Sequence, residues 1–109
     1  MKRGDLVTVS LSGDFGKPRP ALVIQSDLFA DHPTVTILPL TSTPNDDSPL
    51  LRVAVEPSAG NGLKKPSWVM LDKVATSRRE KLSVAFGSLE AATLSQVSRA
   101  LGTFLGVTH

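Results

Sequence analysis

With 109 residues, 12 Lys+Arg against 10 Asp+Glu and no cysteine, the chain has room for one hydrophobic core. It has no means of building a disulfide scaffold or a thiolate metal site, and a reducing, cytoplasmic setting is the expectation. A hydrophobic fraction of 40% with 20% charged residues excludes a disordered chain, and no apolar run approaches the about 20 residues that cross a bilayer.

Residues Asp5 to Leu11 alternate, with Val7, Val9 and Leu11 on one side, and predict a first strand. Ser12 to Pro18 carries glycines and a proline and reads as a loop. Arg19 to Gln25 follows as a second strand, whose continuous Ala21-Leu22-Val23-Ile24 run is expected where both faces are covered. Ser26 to Pro33 connects to a third strand, Thr34 to Thr41, rich in β-branched residues. Pro39 lacks a backbone donor, so this strand should lie at an edge or carry a bulge there.

Ser42 to Pro49 is a loop, Leu51 to Val55 a fourth strand, and Pro57 to Pro66 a Gly/Pro/Lys loop. Trp68 to Val74 and Leu82 to Phe86 complete six predicted strands, with a basic turn between the last two. Ser88 is placed to cap a helix in which Leu94, Val97, Leu101 and Leu105 recur at helical spacing, and Gly106 is placed to stop it. Short strands with one terminal helix imply a single α+β domain over residues 1–109, β-dominant, as a strongly bent antiparallel sheet or small barrel closed by the helix.

The net charge of +2 is unevenly spread: between Lys64 and Lys81, six cations face only Asp72 and Glu80. Such a stretch attracts polyanions by neutralising phosphates, and reads equally as a solvated loop. There is no cysteine nucleophile, Gly-x-Ser-x-Gly turn, phosphate-binding glycine loop or His-Glu-x-x-His. His32 sits in a loop and His109 at the chain end, so no metal site or cofactor is expected.

What remains is polar chemistry at strand ends. Arg19 lies between Pro18 and Pro20, where its backbone is stiffened and its guanidinium, a planar fork of donors, can meet phosphate oxygens. Thr41, with Ser42 and Thr43, ends the third strand, where hydroxyls can reach the same group. Taken singly, Arg19 also reads as an ion-pair partner of Asp72 or Asp14, and Thr41 as a loop cap.

The Arg3-Gly4-Asp5-Leu6 opening, the Gly16-Lys17-Pro18-Arg19-Pro20-Ala21-Leu22-Val23-Ile24 segment, Leu38-Pro39-Leu40-Thr41-Ser42 and Trp68-Val69-Met70-Leu71-Asp72-Lys73-Val74, in that order, resemble the MazF/PemK family of bacterial toxin ribonucleases. The likeness spans nearly the whole chain. It implies an SH3-like barrel with a C-terminal helix, a homodimer, and metal-independent cutting of single-stranded RNA by 2′-hydroxyl attack, leaving a 2′,3′-cyclic phosphate and a 5′-hydroxyl. It also implies a small antitoxin partner whose acidic segment suits the basic stretch.

The resemblance carries catalytic roles onto Arg19, Thr41 and Asp72. Arg19 is assigned to the phosphate, Thr41 to a hydrogen bond with it, and Asp72 to proton acceptance or to orienting Arg19. Lys17, Ser42, Lys73, Arg78 and Arg79 are candidates for the RNA backbone. Phe15 is a candidate for base stacking, and Trp68 for stacking or for the core. Where the family has an arginine two residues before the aspartate, this chain has Met70, and its first loop carries no histidine. The rival readings are a CcdB-like gyrase poison, which depends on a Trp-Gly-Ile chain end where this chain has Val107-Thr108-His109, and a non-catalytic SH3-like binding module.

Overall fold

The structure, a computed structural model, describes residues 1–10, 17–43 and 48–108. The expectations placed on Leu11, the first loop with Asp14 and Phe15, and His109 lie outside the described residues.

Alternating apolar residues and turn signals build seven strands: β1 (Asp5–Val9), β2 (Arg19–Val23), β3 (Thr34–Thr41), β4 (Arg52–Val55), β5 (Ser67–Met70), β6 (Ala75–Arg78) and β7 (Gly87–Ser88). A single helix, α1 (Ala91–Leu105), follows. The strands form one antiparallel sheet in the order β4-β5-β3-β2-β1-β7, with β6 also pairing β3. It curls into a half-barrel that α1 covers.

Because side chains alternate across each strand, two cores form. Toward the helix, Leu6, Leu22, Leu38, Leu40 and Val69 pack with Val97 and Leu101 of α1. On the other face Val7, Val9, Ala21, Val23, Val35 and Ile37 pack under Ala75 and Leu82. Strand β2 is therefore covered on both sides, as its unbroken apolar run implies.

The bulge expected at Pro39 lies between β3 and its outer neighbours. Residues Leu40 and Thr41 pair with Val69 and Trp68 of β5, whereas Thr34 to Ile37 pair with β6. Residues 70–74 of the returning chain thus stand opposite only Leu38 and Pro39. Along the uninterrupted side, Ala21, Leu22 and Val23 of β2 pair with Pro39, Leu38 and Ile37.

Three expectations need correction. The basic turn holds a strand of its own, β6, which its pairing with β3 creates in a stretch with little apolar periodicity. The sixth strand expected over Leu82 to Phe86 is instead irregular extended chain laid along β1, tied by Ser83 N to Thr8 O and Phe86 N to Leu6 O. Ser88 belongs to β7 and its hydroxyl donates to Asp5 Oδ1, so the helix starts at Glu90. Gly106 does stop α1, at φ 75°, with its N–H returning to Gly102 O and Thr103 O.

Candidate functional site

Ala21 of β2 pairs with Pro39 of β3, and Arg19 and Thr41 each lie two residues beyond that pair, at the same end of the two strands. Both therefore occupy one rim of the sheet. Arg19 is exposed and Thr41 half-buried. The Thr41 hydroxyl accepts from Thr43 N at 3.1 Å and donates to Thr43 O at 3.4 Å, so the start of the following loop holds it at the surface.

The row continues outward. Thr41 pairs directly with Trp68 of β5, and Trp68 with Ala54 of β4. Paired residues share a face, so the hydroxyl, a half-buried indole and a small side chain stand side by side. Trp68 is thus neither a fully buried core residue nor remote from Thr41.

Asp72 sits on the bulge, where the chain leaves β5. Its Oδ1 accepts from Arg52 Nη1 at 2.6 Å, and Lys73 Nζ stands 4.0 Å from Oδ2. Burial acts to raise its pKa, but the hydrogen bond from Arg52, a backbone hydrogen bond and the charges of Arg52 and Lys73 outweigh this and hold it below the ordinary 3.8. Arg52 is the side chain that sequence reasoning missed. It occupies an alternating polar position of a strand and reads as solvent-facing, yet it is only 7% exposed, its Nε lacks a partner, and its backbone stands opposite Met70.

The remaining cations divide between the two ends of β3. Lys17 leads into β2, and Lys64 and Lys65 precede β5, all three exposed toward the rim of Thr41. Arg78 pairs with Thr34, at the opposite end of β3, and forms an ion pair with Glu80 at 2.7 Å. Arg79 donates to His32 O from Nη2 at 2.9 Å, which explains the surface placement of that loop. Within one chain the structure therefore brings Arg19, Thr41, Ser42 and Lys17 to one rim, and places Lys73, Arg78 and Arg79 from the bulge outward to the other end.

Behind the rim, on the helix-side face, lies a cavity of about 450 Å³. Thr8, Pro20, Ser42 and Ser67 line it from the strand ends, and Leu63, Phe86 and the two lysines close it from the loops.

This combination of curled sheet, covering helix and arginine–hydroxyl rim defines a recognisable class. Residues 2–105 match the family described as PemK-like, MazF-like toxin of type II toxin-antitoxin system. A probable endoribonuclease MazF from Mycolicibacterium smegmatis is 43% identical over 108 residues, covering 98% of both chains. The Mycobacterium tuberculosis toxin MazF-mt6 superposes with a TM-score of 0.78 at 27% identity, over 94% of this chain and 96% of that one. An endoribonuclease from a mycobacterial species, solved in complex with its cognate antitoxin, has the same fold, with a TM-score of 0.82 at 24% identity, over 100% of this chain and 98% of that one. The chain belongs to the PemK/MazF toxin family.

Proposed function

We propose that this chain is an endoribonuclease toxin that cuts single-stranded RNA by attack of a ribose 2′-hydroxyl on the adjacent phosphate. The 2′-oxygen bonds to phosphorus, the bond to the 5′-oxygen breaks, and a 2′,3′-cyclic phosphate and a 5′-hydroxyl result. The observation that carries this reading is that β2 and β3 pair as far as Ala21 and Pro39, so that Arg19 and Thr41 each stand two residues beyond that pair at the same end of the sheet. The near full-length likeness to the M. smegmatis protein, a probable endoribonuclease, supports the endoribonuclease part of the reading.

In this reading Arg19 stabilises charge developing on the phosphoryl oxygens, and the Thr41 hydroxyl exchanges its long 3.4 Å hydrogen bond to Thr43 O for one donated to the same group. The planar fork of donors on Arg19 matches phosphoryl oxygens, so charge stabilisation is the role assigned to it. From sequence Asp72 is expected to accept a proton or to orient Arg19; its described ion-pair partners are instead Arg52 and Lys73, and a carboxylate so engaged is a weak proton acceptor. It orients Arg52 and Lys73 on the strand and turn beside Trp68, whose ring offers a stacking surface for a base next to Thr41. Lys17 and Ser42 contact the backbone near the cut, and Lys73, Arg78 and Arg79 contact a longer strand farther along.

The same reading includes an acidic antitoxin segment that covers the rim, and a twofold homodimer in the cytoplasm. Exposed apolar side chains, among them Leu28, Phe29, Phe104 and Val107, are compatible with a further protein contact. Among the described residues no helix is long and apolar enough to cross a membrane. Incubation of the purified protein with single-stranded RNA in excess chelator tests the proposal: fragments ending in cyclic phosphate are expected, and intact RNA contradicts it.

A further inference from the structure

The cavity behind the rim lies beside both residues assigned to the scissile phosphate. Pro20 and Ser42 line it, and each follows Arg19 or Thr41 by one residue, about 3.8 Å of backbone. Successive side chains point to opposite faces, so the rim has the arginine and threonine on one side and the cavity on the other. A strand that lays a phosphate across Arg19 and Thr41 can tip its neighbouring base over the rim.

We propose that this cavity takes one nucleobase flanking the scissile phosphate, one that carries an exocyclic amino group, and so sets the sequence at which the chain cuts. The inference rests on the ribonuclease reading above.

Three features select a base as the occupant. At about 450 Å³ the space falls in the range of small-molecule sites and admits a purine or a pyrimidine with its sugar. Pro20, Leu63 and Phe86 offer apolar walls to the ring faces, and Lys64 and Lys65 at the mouth suit the flanking phosphates. Ser67 supplies the polar selectivity. It is 5% exposed, and in the structure its hydroxyl donates to Lys65 O at 3.0 Å, which leaves its oxygen lone pairs to meet an occupant. An acceptor there matches the amino group of adenine, cytosine or guanine, which uracil lacks.

The walls are also preformed. Asn61 is fully buried, and its Oδ1 accepts from Ser58 N and Leu63 N while its Nδ2 donates to Glu56 O and Glu90 Oε1. This fixes Leu63. Gly62, at φ 68°, lies so close to Phe86 that a Cβ would stand 2.7 Å from its carbonyl oxygen. The loop wall and the Phe86 wall therefore lie in close backbone contact.

The test uses a synthetic RNA with randomised internal positions, digested by the wild-type chain, by Ser67→Ala and by Leu63→Trp, with cut ends sequenced. Wild type is expected to disfavour uracil at one position flanking the cut. Ser67→Ala removes the acceptor with little change of volume and should relax that discrimination about tenfold, the scale of one base-reading hydrogen bond. Leu63→Trp fills the cavity and should lower kcat/KM at least tenfold. Should the tryptophan variant fail to fold, Ser67→Ala decides alone. Unchanged base preference in folded Ser67→Ala overturns the inference, as does loss of antitoxin binding with preference intact, which would make the cavity a protein site. Intact RNA with the wild-type chain would instead overturn the ribonuclease reading itself.

Discussion

Arg52 donates from Nη1 to Asp72 Oδ1 across 2.6 Å, joining β4 to the bulge where β5 gives way to β6. Asp72→Asn leaves a guanidinium that is 7% exposed without its counter-charge, in addition to an Nε that already lacks a partner. A loss of about 2 kcal/mol is expected, below the about 3–5 kcal/mol of a fully buried pair because Asp72 itself is 22% exposed. Urea denaturation at pH 7 measures it.

The same carboxylate gives the acid side of the stability curve its sign. Its folded pKa lies below the ordinary 3.8, so its contribution is present above that value and is lost as pH falls through the folded pKa. Glu90 acts in the same direction: the hydrogen bond from Ser58 lowers its pKa, burial opposes, and the Asn61 amide adds to the lowering. Wild type should lose stability steadily below about pH 4. Asp72→Asn should lose less over that interval and keep only the Glu90 part, and an identical acid slope would contradict the assignment.

Asn61 organises the loop between β4 and β5 with no access to water. Asn61→Ala strands the Ser58 and Leu63 amides and the Glu56 carbonyl in a part-buried setting. A cost of about 3 kcal/mol is expected, which for a domain of this size lowers Tm by more than about 10 °C in a thermal melt.

Two glycines should respond to alanine to different degrees. A Cβ at Gly87 would lie 2.2 Å from the Asn61 carbonyl oxygen, a backbone atom with nowhere to go, so Gly87→Ala should unfold or precipitate the chain. A Cβ at Gly102 would stand 2.5 Å from the Thr108 hydroxyl oxygen, and Thr108 N donates to Gly102 O, so the chain end must shift to admit it. Gly102→Ala, inside α1, gains up to about 1 kcal/mol of helix propensity against that shift and should leave Tm within a few degrees of wild type.

Much of this architecture is legible in the residues. Strand β3 has the bounds that its β-branched run predicts, and the two-sided burial of β2 follows from four consecutive apolar residues. The break at Pro39 follows from a missing donor, although only pairing shows that the neighbours bulge rather than β3. Strand β6 is not legible, because Ala75-Thr76-Ser77-Arg78 has no apolar face and becomes a strand through β3 alone. The helix start is displaced because Glu90 spends its carboxylate on Ser58 and Asn61, and nothing local announces those partners. In the site, Arg19 and Thr41 are legible as strand ends. The basic stretch looks continuous in sequence, but the bulge carries Arg78 and Arg79 to the far end of β3, away from Lys64 and Lys65.

That division predicts a difference in salt dependence. With a short single-stranded oligonucleotide, replacing Lys64 and Lys65 by alanine should flatten the log–log salt slope of binding by about 1.4, two phosphate contacts' worth. Replacing Arg78 and Arg79 should leave the slope unchanged on the short strand and reduce it only on a longer one. Filter binding over a salt series distinguishes the two pairs.

Single-turnover cleavage of a defined RNA by Arg19→Ala and Arg19→Lys, with thermal melts alongside, probes the proposed chemistry most directly. Arg19 is exposed and outside both cores, so Tm should stay within a few degrees of wild type while the alanine variant loses at least about 100-fold in rate, the scale of one lost transition-state donor, and the lysine variant recovers only part of it. Cleavage by Arg19→Ala at the wild-type rate would contradict the account.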